Sequence, residues 1–123
     1  MSAIEFDKTM TLSFGVTDRL KSVAWYKEHL GCTQLYDIAE IGWTEMSTPV
    51  PGVSIGFADN MEVKTGGCVP VFGVSDIAAA RKALEDKGVR FDGETITHDG
   101  MVKLASFYDC DGHALMLAEN LAG

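Results

Sequence analysis

The sequence predicts an α+β fold built from two βαβββ modules, and three observations predict it. The phrase FGVTD at residues 14–18 returns as FGVSD at residues 72–76, 58 positions further on. Behind each phrase runs a helical pattern ending in glycine, RLKSVAWYKEHLG (19–31) and IAAARKALEDKG (77–88). Ahead of each stands a short stretch with the composition of a strand, TLSFGV (11–16) and VPVFGV (69–74). Each phrase therefore marks a strand passing into a helix.

The elements follow in order. In the first module Thr17 or Asp18 caps the helix. Leu20, Val23, Ala24 and Leu30 recur at helical spacing, and Gly31 supplies the left-handed stop. CTQLYDI (32–38) is the next strand, and a hairpin closes the module: GWTEM (42–46), the turn PVPG (49–52) and VSIGF (53–57). In the second module Ser75 or Asp76 is the cap, Ile77, Ala80 and Leu84 share a face, and Gly88 ends the helix. VRFDGETI (89–96) reads as a strand, followed by the hairpin MVKLASFY (101–108), DCDG (109–112), HALMLAE (113–119). Aligning Gly52 with Gly112 changes the offset from 58 to 60, an insertion that a loop absorbs. The expected organisation is one domain over residues 1–123, with modules at about 11–57 and 69–118 and a polar, glycine-containing linker over 58–68.

Composition limits the partners. With 46% apolar residues the chain has enough to bury a core, and its net charge of −8 argues against nucleic acid or an anionic membrane surface. No segment approaches the roughly 20 apolar residues of a spanning helix, and MSAIEFDKTM lacks the basic head and apolar run of a signal peptide. A cytoplasmic protein is expected. Cys32, Cys68 and Cys110 show no framework spacing, so reduced thiols are expected.

FGVTD…WYKEHLG in the first half, with FGVSD…LEDKGV…FYDCDGHALMLAE in the second, resembles the glyoxalase, bleomycin-resistance and extradiol-dioxygenase superfamily, the vicinal oxygen chelate proteins. The resemblance implies two modules whose curved mixed sheets enclose a cleft, commonly in a homodimer. In metal-dependent members the cleft holds a divalent ion, one ligand coming from the first and one from the last strand of each module. Carried onto this chain, those positions are Thr11, Gly56, Val69 and Met116. They offer a hydroxyl, a bare backbone, an isopropyl group and a thioether, so no metal cofactor is expected, a divalent ion being the alternative.

Other residues do not replace this set. His29 is expected as a solvated helix end, His98 in a surface loop, and His113 directly after Gly112 of the DCDG turn. Strand alternation points Thr11, Ser13, Val69, Val71, Leu104, Ser106 and Met116 into the cleft, which becomes apolar with a few hydroxyls, like a ligand pocket. Trp43 and Glu45 share a face that alternation alone does not assign. On the inner face, Glu45 is a candidate general base or cation partner beside an aromatic platform. The expected function is small-molecule binding, of the ligand-sequestering or drug-resistance kind. The alternative is a lyase, isomerase or dioxygenase acting on a small oxygenated substrate.

Overall fold

The fold is described from a computed structural model, over Ala3 and residues 5–122. It contains two compact units that divide between Lys64 and Thr65. The first runs β1 (Met10–Gly15), α1 (Arg19–Leu30), β2 (Thr33–Ile38), a 3-10 turn (Ala39–Ile41), β3 (Trp43–Ser47) and β4 (Val53–Ala58). The second runs β5 (Val71–Gly73), α2 (Ile77–Asp86), β6 (Ile96–His98), β7 (Val102–Tyr108) and β8 (Ala114–Asn120). Each carries a four-stranded mixed sheet, ordered β1-β4-β3-β2 and β5-β8-β7-β6, in which only the first pair is parallel. The α+β fold of two βαβββ modules is as predicted.

Local chemistry sets the helix ends. Asp18 caps α1, its carboxylate accepting from the backbone N–H groups of Leu20 and Lys21, and Gly31 closes it at φ 71°. Asp76 caps α2 by accepting from the Ala79 N–H. A second carboxylate reaches each helix start from the end of the module's last strand. Asp59 Oδ2 accepts from the Arg19 backbone N–H at 3.2 Å, and Glu119 Oε1 accepts from that of Ile77 at 2.8 Å. The first N–H groups of a helix have no partner within it, so a carboxylate there supplies both an acceptor and a charge matching the helix dipole. The strand-to-helix joint repeats as well: Val16 N donates to Ala58 O at 3.0 Å, and Val74 N to Ala118 O at 2.9 Å.

Each core lies between the helix and one sheet face. In the first unit α1 packs on β3 and β4, burying Tyr26, Met46, Ile55 and Phe57, with the Tyr26 and Phe57 rings 4.8 Å apart. In the second, α2 packs on β7 and β8 over Ile77, Leu84, Ala105, Phe107, Leu115 and Leu117. The predicted α2 face is the buried one at Ile77 and Leu84.

The predicted α1 face is rotated. Ser22 and Tyr26 are its fully buried residues, while Leu20 is 61% exposed and Ala24 is exposed. Apolar side chains stand all round this helix, and its phase is set from outside. The Arg19 guanidinium is gripped by Asp37 at 2.9 Å and Asp59 at 3.0 Å, which anchors the first turn over β2 and the end of β4.

Three further expectations are corrected. The strand expected over 89–96 exists only as a bridge from Phe91 to Phe107, with β6 beginning at Ile96. Gly93 at φ 73° turns the chain there, and Arg81 holds the turn through the Gly93 carbonyl and the Thr95 hydroxyl. His98 is the last residue of β6 rather than a loop residue. Ala58, expected in the linker, closes β4.

Candidate functional site

In the first unit, the sheet face turned away from α1 is read directly from strand register. Ser13 pairs with Gly56, Gly56 with Glu45, and Glu45 with Tyr36. One row back lie Thr11, Ser54, Ser47 and Thr33; one row forward lie Gly15, Ala58, Trp43 and Ile38. Residues paired across neighbouring strands project to the same side. The question left open by alternation is thereby answered: Trp43 and Glu45 stand on the face of Thr11, Ser13 and Gly56. A β-bulge between Gln34 and Tyr36 brings the tyrosine into register with the glutamate.

These side chains interlock. Tyr36 Oη donates to Glu45 Oε1 at 2.7 Å, and Thr11 Oγ1 approaches Glu45 Oε2 at 3.5 Å. Since an ionised carboxylate only accepts, the Tyr36 bond commits the phenolic proton to Glu45. The hydroxyl of Tyr36 is held above the ordinary phenol range, first by its bond to the Glu45 carboxylate, with the neighbouring Trp43 side chain acting in the opposite direction.

Trp43 lies over Gly56. A Cβ built on Gly56 would stand 1.9 Å from the indole Cη2 and 2.0 Å from Cζ2, so any side chain there would displace the ring. Glycine at 56 is therefore a seat for an aromatic ring.

In the second unit Val71 pairs with Met116 and Met116 with Ser106, while Gly73, Ala118, Leu104 and Ile96 form the next row. Val71 is 53% and Ile96 58% exposed. Val69 precedes β5, although Pro70 O still accepts from Met116 N at 2.9 Å. The register matches that of the first unit position for position: Ser13 with Gly56 corresponds to Val71 with Met116, at the offsets of 58 and 60 read from the sequence. Within each unit the predicted residues gather on one face: Thr11, Ser13, Trp43, Glu45 and Gly56 in the first, Val71, Leu104, Ser106 and Met116 in the second.

The histidines stand apart from these faces or at their margin. His29 is not a solvated cap: its ring lies 4.8 Å from that of Trp25, and its Nδ1 is buried. His113 is buried beside the turn, where Asp109 accepts from its backbone N–H. His98 is exposed. Among the described residues no three of His, Cys, Asp and Glu stand close enough to share an ion.

The family model of the glyoxalase/bleomycin resistance protein/dioxygenase superfamily matches residues 9–117. The chain belongs to this superfamily. Among solved structures it resembles a superfamily member from Sphaerobacter thermophilus at 20% identity and TM-score 0.80, covering 95% of this chain and 98% of that one. An antibiotic-binding protein from Streptomyces sp. CB03234 is similar at 23% identity and TM-score 0.77, with coverage of 98% and 99%. A glyoxalase family protein from Bacillus anthracis matches at 14% identity and TM-score 0.77, covering 98% of each chain. No curated protein matches the sequence. These likenesses concern the fold.

The donor set at the superfamily's metal positions does not suit a divalent ion. Thr11 brings one hydroxyl, already turned toward Glu45; Gly56 brings no side chain, and the space above it holds the Trp43 ring. Val69 and Met116 bring an isopropyl group and a thioether, where such ions need carboxylate, imidazole or carbonyl donors.

Proposed function

We propose that this superfamily member binds a small organic molecule without a metal, as a sequestering or resistance protein does. The observation that carries the reading is Trp43 seated on Gly56. Where a metal-dependent relative needs a ligand side chain, this chain presents an aromatic surface beside hydroxyls. The first unit's face is richer in hydroxyls than the apolar lining expected from the sequence, and Trp43 supplies the flat surface on which an organic ligand rests while the hydroxyls orient it. The similarity to an antibiotic-binding protein agrees with it.

The deciding experiment is metal analysis of the purified protein together with a chelator challenge. The expected result is substoichiometric Ni, Co, Zn, Mn and Fe, with the unfolding midpoint unchanged by chelator. One tightly held ion per chain would overturn the reading. The proposal includes a homodimer, because β2 is an exposed edge with Leu35 52% accessible, Ile41 of the following 3-10 turn is 54% accessible, and apolar edges of this kind are usually covered. Sedimentation is expected at twice the chain mass of 13.3 kDa. A stable monomer at micromolar concentration would remove that part.

A further inference from the structure

Of the strand residues on the open face of the first unit, Glu45 alone carries a charge; its neighbours are Thr11, Ser13, Tyr36, Trp43, Ser47 and small or apolar residues. Its hydrogen-bond partners are two hydroxyls, Tyr36 and Thr11, and among the described residues no Lys, Arg or His forms an ion pair with it. The two hydroxyls hold the carboxylate in place without neutralising it. An ionised carboxylate has about four lone-pair sites, so two donors leave it able to accept more. Beside it, the Trp43 indole is spread over Gly56, one row along the sheet.

We infer that this face takes a ligand carrying a protonated amine or guanidinium next to a flat ring, with Glu45 as its counter-ion and Trp43 as its platform. The inference rests on the small-molecule reading above and adds the ligand's charge. Three physical terms agree on the sign. A half-buried carboxylate lacking a cationic partner gains from an ammonium donor through a charge-assisted hydrogen bond. The face of an indole attracts cations, and tryptophan does so best among the aromatic residues. The chain's net charge of −8 raises the local concentration of cationic ligands and lowers that of anions. The bonds from the Tyr36 and Thr11 hydroxyls to Glu45 add preorganisation, because the carboxylate need not be ordered when the ligand arrives.

The test uses three probes with one ring and three charges: 1-naphthylmethylamine, 1-naphthalenemethanol and 1-naphthoate at pH 7. Titrations are followed by the two indole N–H signals of the full chain, Trp25 on α1 serving as internal reference. The ammonium probe is expected to shift the Trp43 signal and to bind about tenfold more tightly than the alcohol, a difference of about 1.4 kcal/mol. Naphthoate is expected to bind least. Glu45→Gln, with the Trp25 signal in its native position, should weaken the ammonium far more than the alcohol and bring the two to within about threefold of each other. Tyr36→Phe, which keeps the charge but removes its brace, should give a smaller loss for the ammonium alone.

Equal binding of ammonium and alcohol by the unmodified protein would overturn the charge assignment and leave the small-molecule reading standing. An ammonium preference that survives Glu45→Gln would overturn the role of Glu45. If none of the three probes moves Trp43, both the inference and the reading beneath it fail.

Discussion

The two modules share a skeleton and differ on the open face of the sheet. Asp59 and Glu119 bind the first N–H of their helices, and Val16 and Val74 donate to Ala58 and Ala118. Phe57 and Leu117, 60 residues apart, are both buried under the helices. On the open face the equivalence of position remains while the chemistry changes. Trp43 and Glu45 of the first module correspond to Leu104 and Ser106 of the second, since they pair with Ala58 and Gly56 as those pair with Ala118 and Met116. The carboxylates and valines that close the helix starts, and the core position at Phe57 and Leu117, have kept their chemistry across the repeat. Positions that carry no folding duty have diverged, and there the candidate site stands.

The largest effect sought tests the shared skeleton. Phe57→Ala and Leu117→Ala are expected to destabilise by similar amounts, about 3 to 4 kcal/mol each, because both empty a closed core site. Denaturant titration measures this. A cost below about 1 kcal/mol at either position would break the equivalence of the two cores.

A second experiment writes one face into the other. Trp43→Leu combined with Glu45→Ser gives the first module the residues of the second. Binding of the ammonium probe should be lost, while stability changes by no more than about 1 kcal/mol, since neither side chain is part of the core. Unfolding of the double variant would show that the Trp43 ring supports the sheet, and the contrast between duty to fold and freedom to diverge would collapse.

Much of the skeleton was legible in the sequence because it is local chemistry. Asp18, Asp76 and Gly31 end helices for reasons of backbone geometry, and the repeated phrase marked the equivalent positions of the two modules. The rotation of α1 was not legible. Leu20, Val23, Ala24, Trp25 and Tyr26 leave no single apolar stripe, so the helix takes its phase from Arg19 and its two carboxylates. Nor was the face of Glu45, because the 3-10 turn at Ala39–Ile41 and the bulge in β2 interrupt any count of alternation from a known strand. Gly93 interrupted the expected 89–96 strand for a similar reason: a positive φ ends a ladder that composition would continue. Asp59 and Glu119 could have been found, since they share the offset of 60 with the turn glycines.

The modules also differ in how the helix start is held, and pH separates them. Arg19 joins the carboxylates of Asp37 and Asp59, whereas Ile77 occupies the corresponding position of α2. The Arg19 side chain, aided by Thr44, lowers Asp37, and the bond from the Arg19 backbone N–H is the first cause lowering Asp59. A carboxylate depressed in the folded state contributes stability that is present above its ordinary value of 3.8 and disappears as pH falls through the folded value. Arg19→Ile should therefore lower the unfolding midpoint at neutral pH, flatten its acid dependence below about pH 4, and bring the two profiles together at the acid end. Parallel profiles of variant and parent would mean that the ion pairs contribute nothing on folding.

The smallest effect expected separates the modules by thiol chemistry. Cys32 is buried in the first unit, and burial pushes its thiol up from 9.0 to about 11, whereas Cys68 in the second unit is exposed. Only the thiolate reacts, so at pH 8 Cys32 carries roughly a hundredfold less of the reactive form than an ordinary thiol, before access is counted. Alkylation with iodoacetamide, read by mass spectrometry of the cleaved chain, should label Cys68 within minutes and Cys32 only as fast as the first unit opens. Mild urea should speed Cys32 alone if that unit opens by itself. A Cys32 rate that matches global unfolding at every urea concentration would instead mean that two modules so alike in skeleton fold as one cooperative body, and divergence of the first face would then draw on the stability of both.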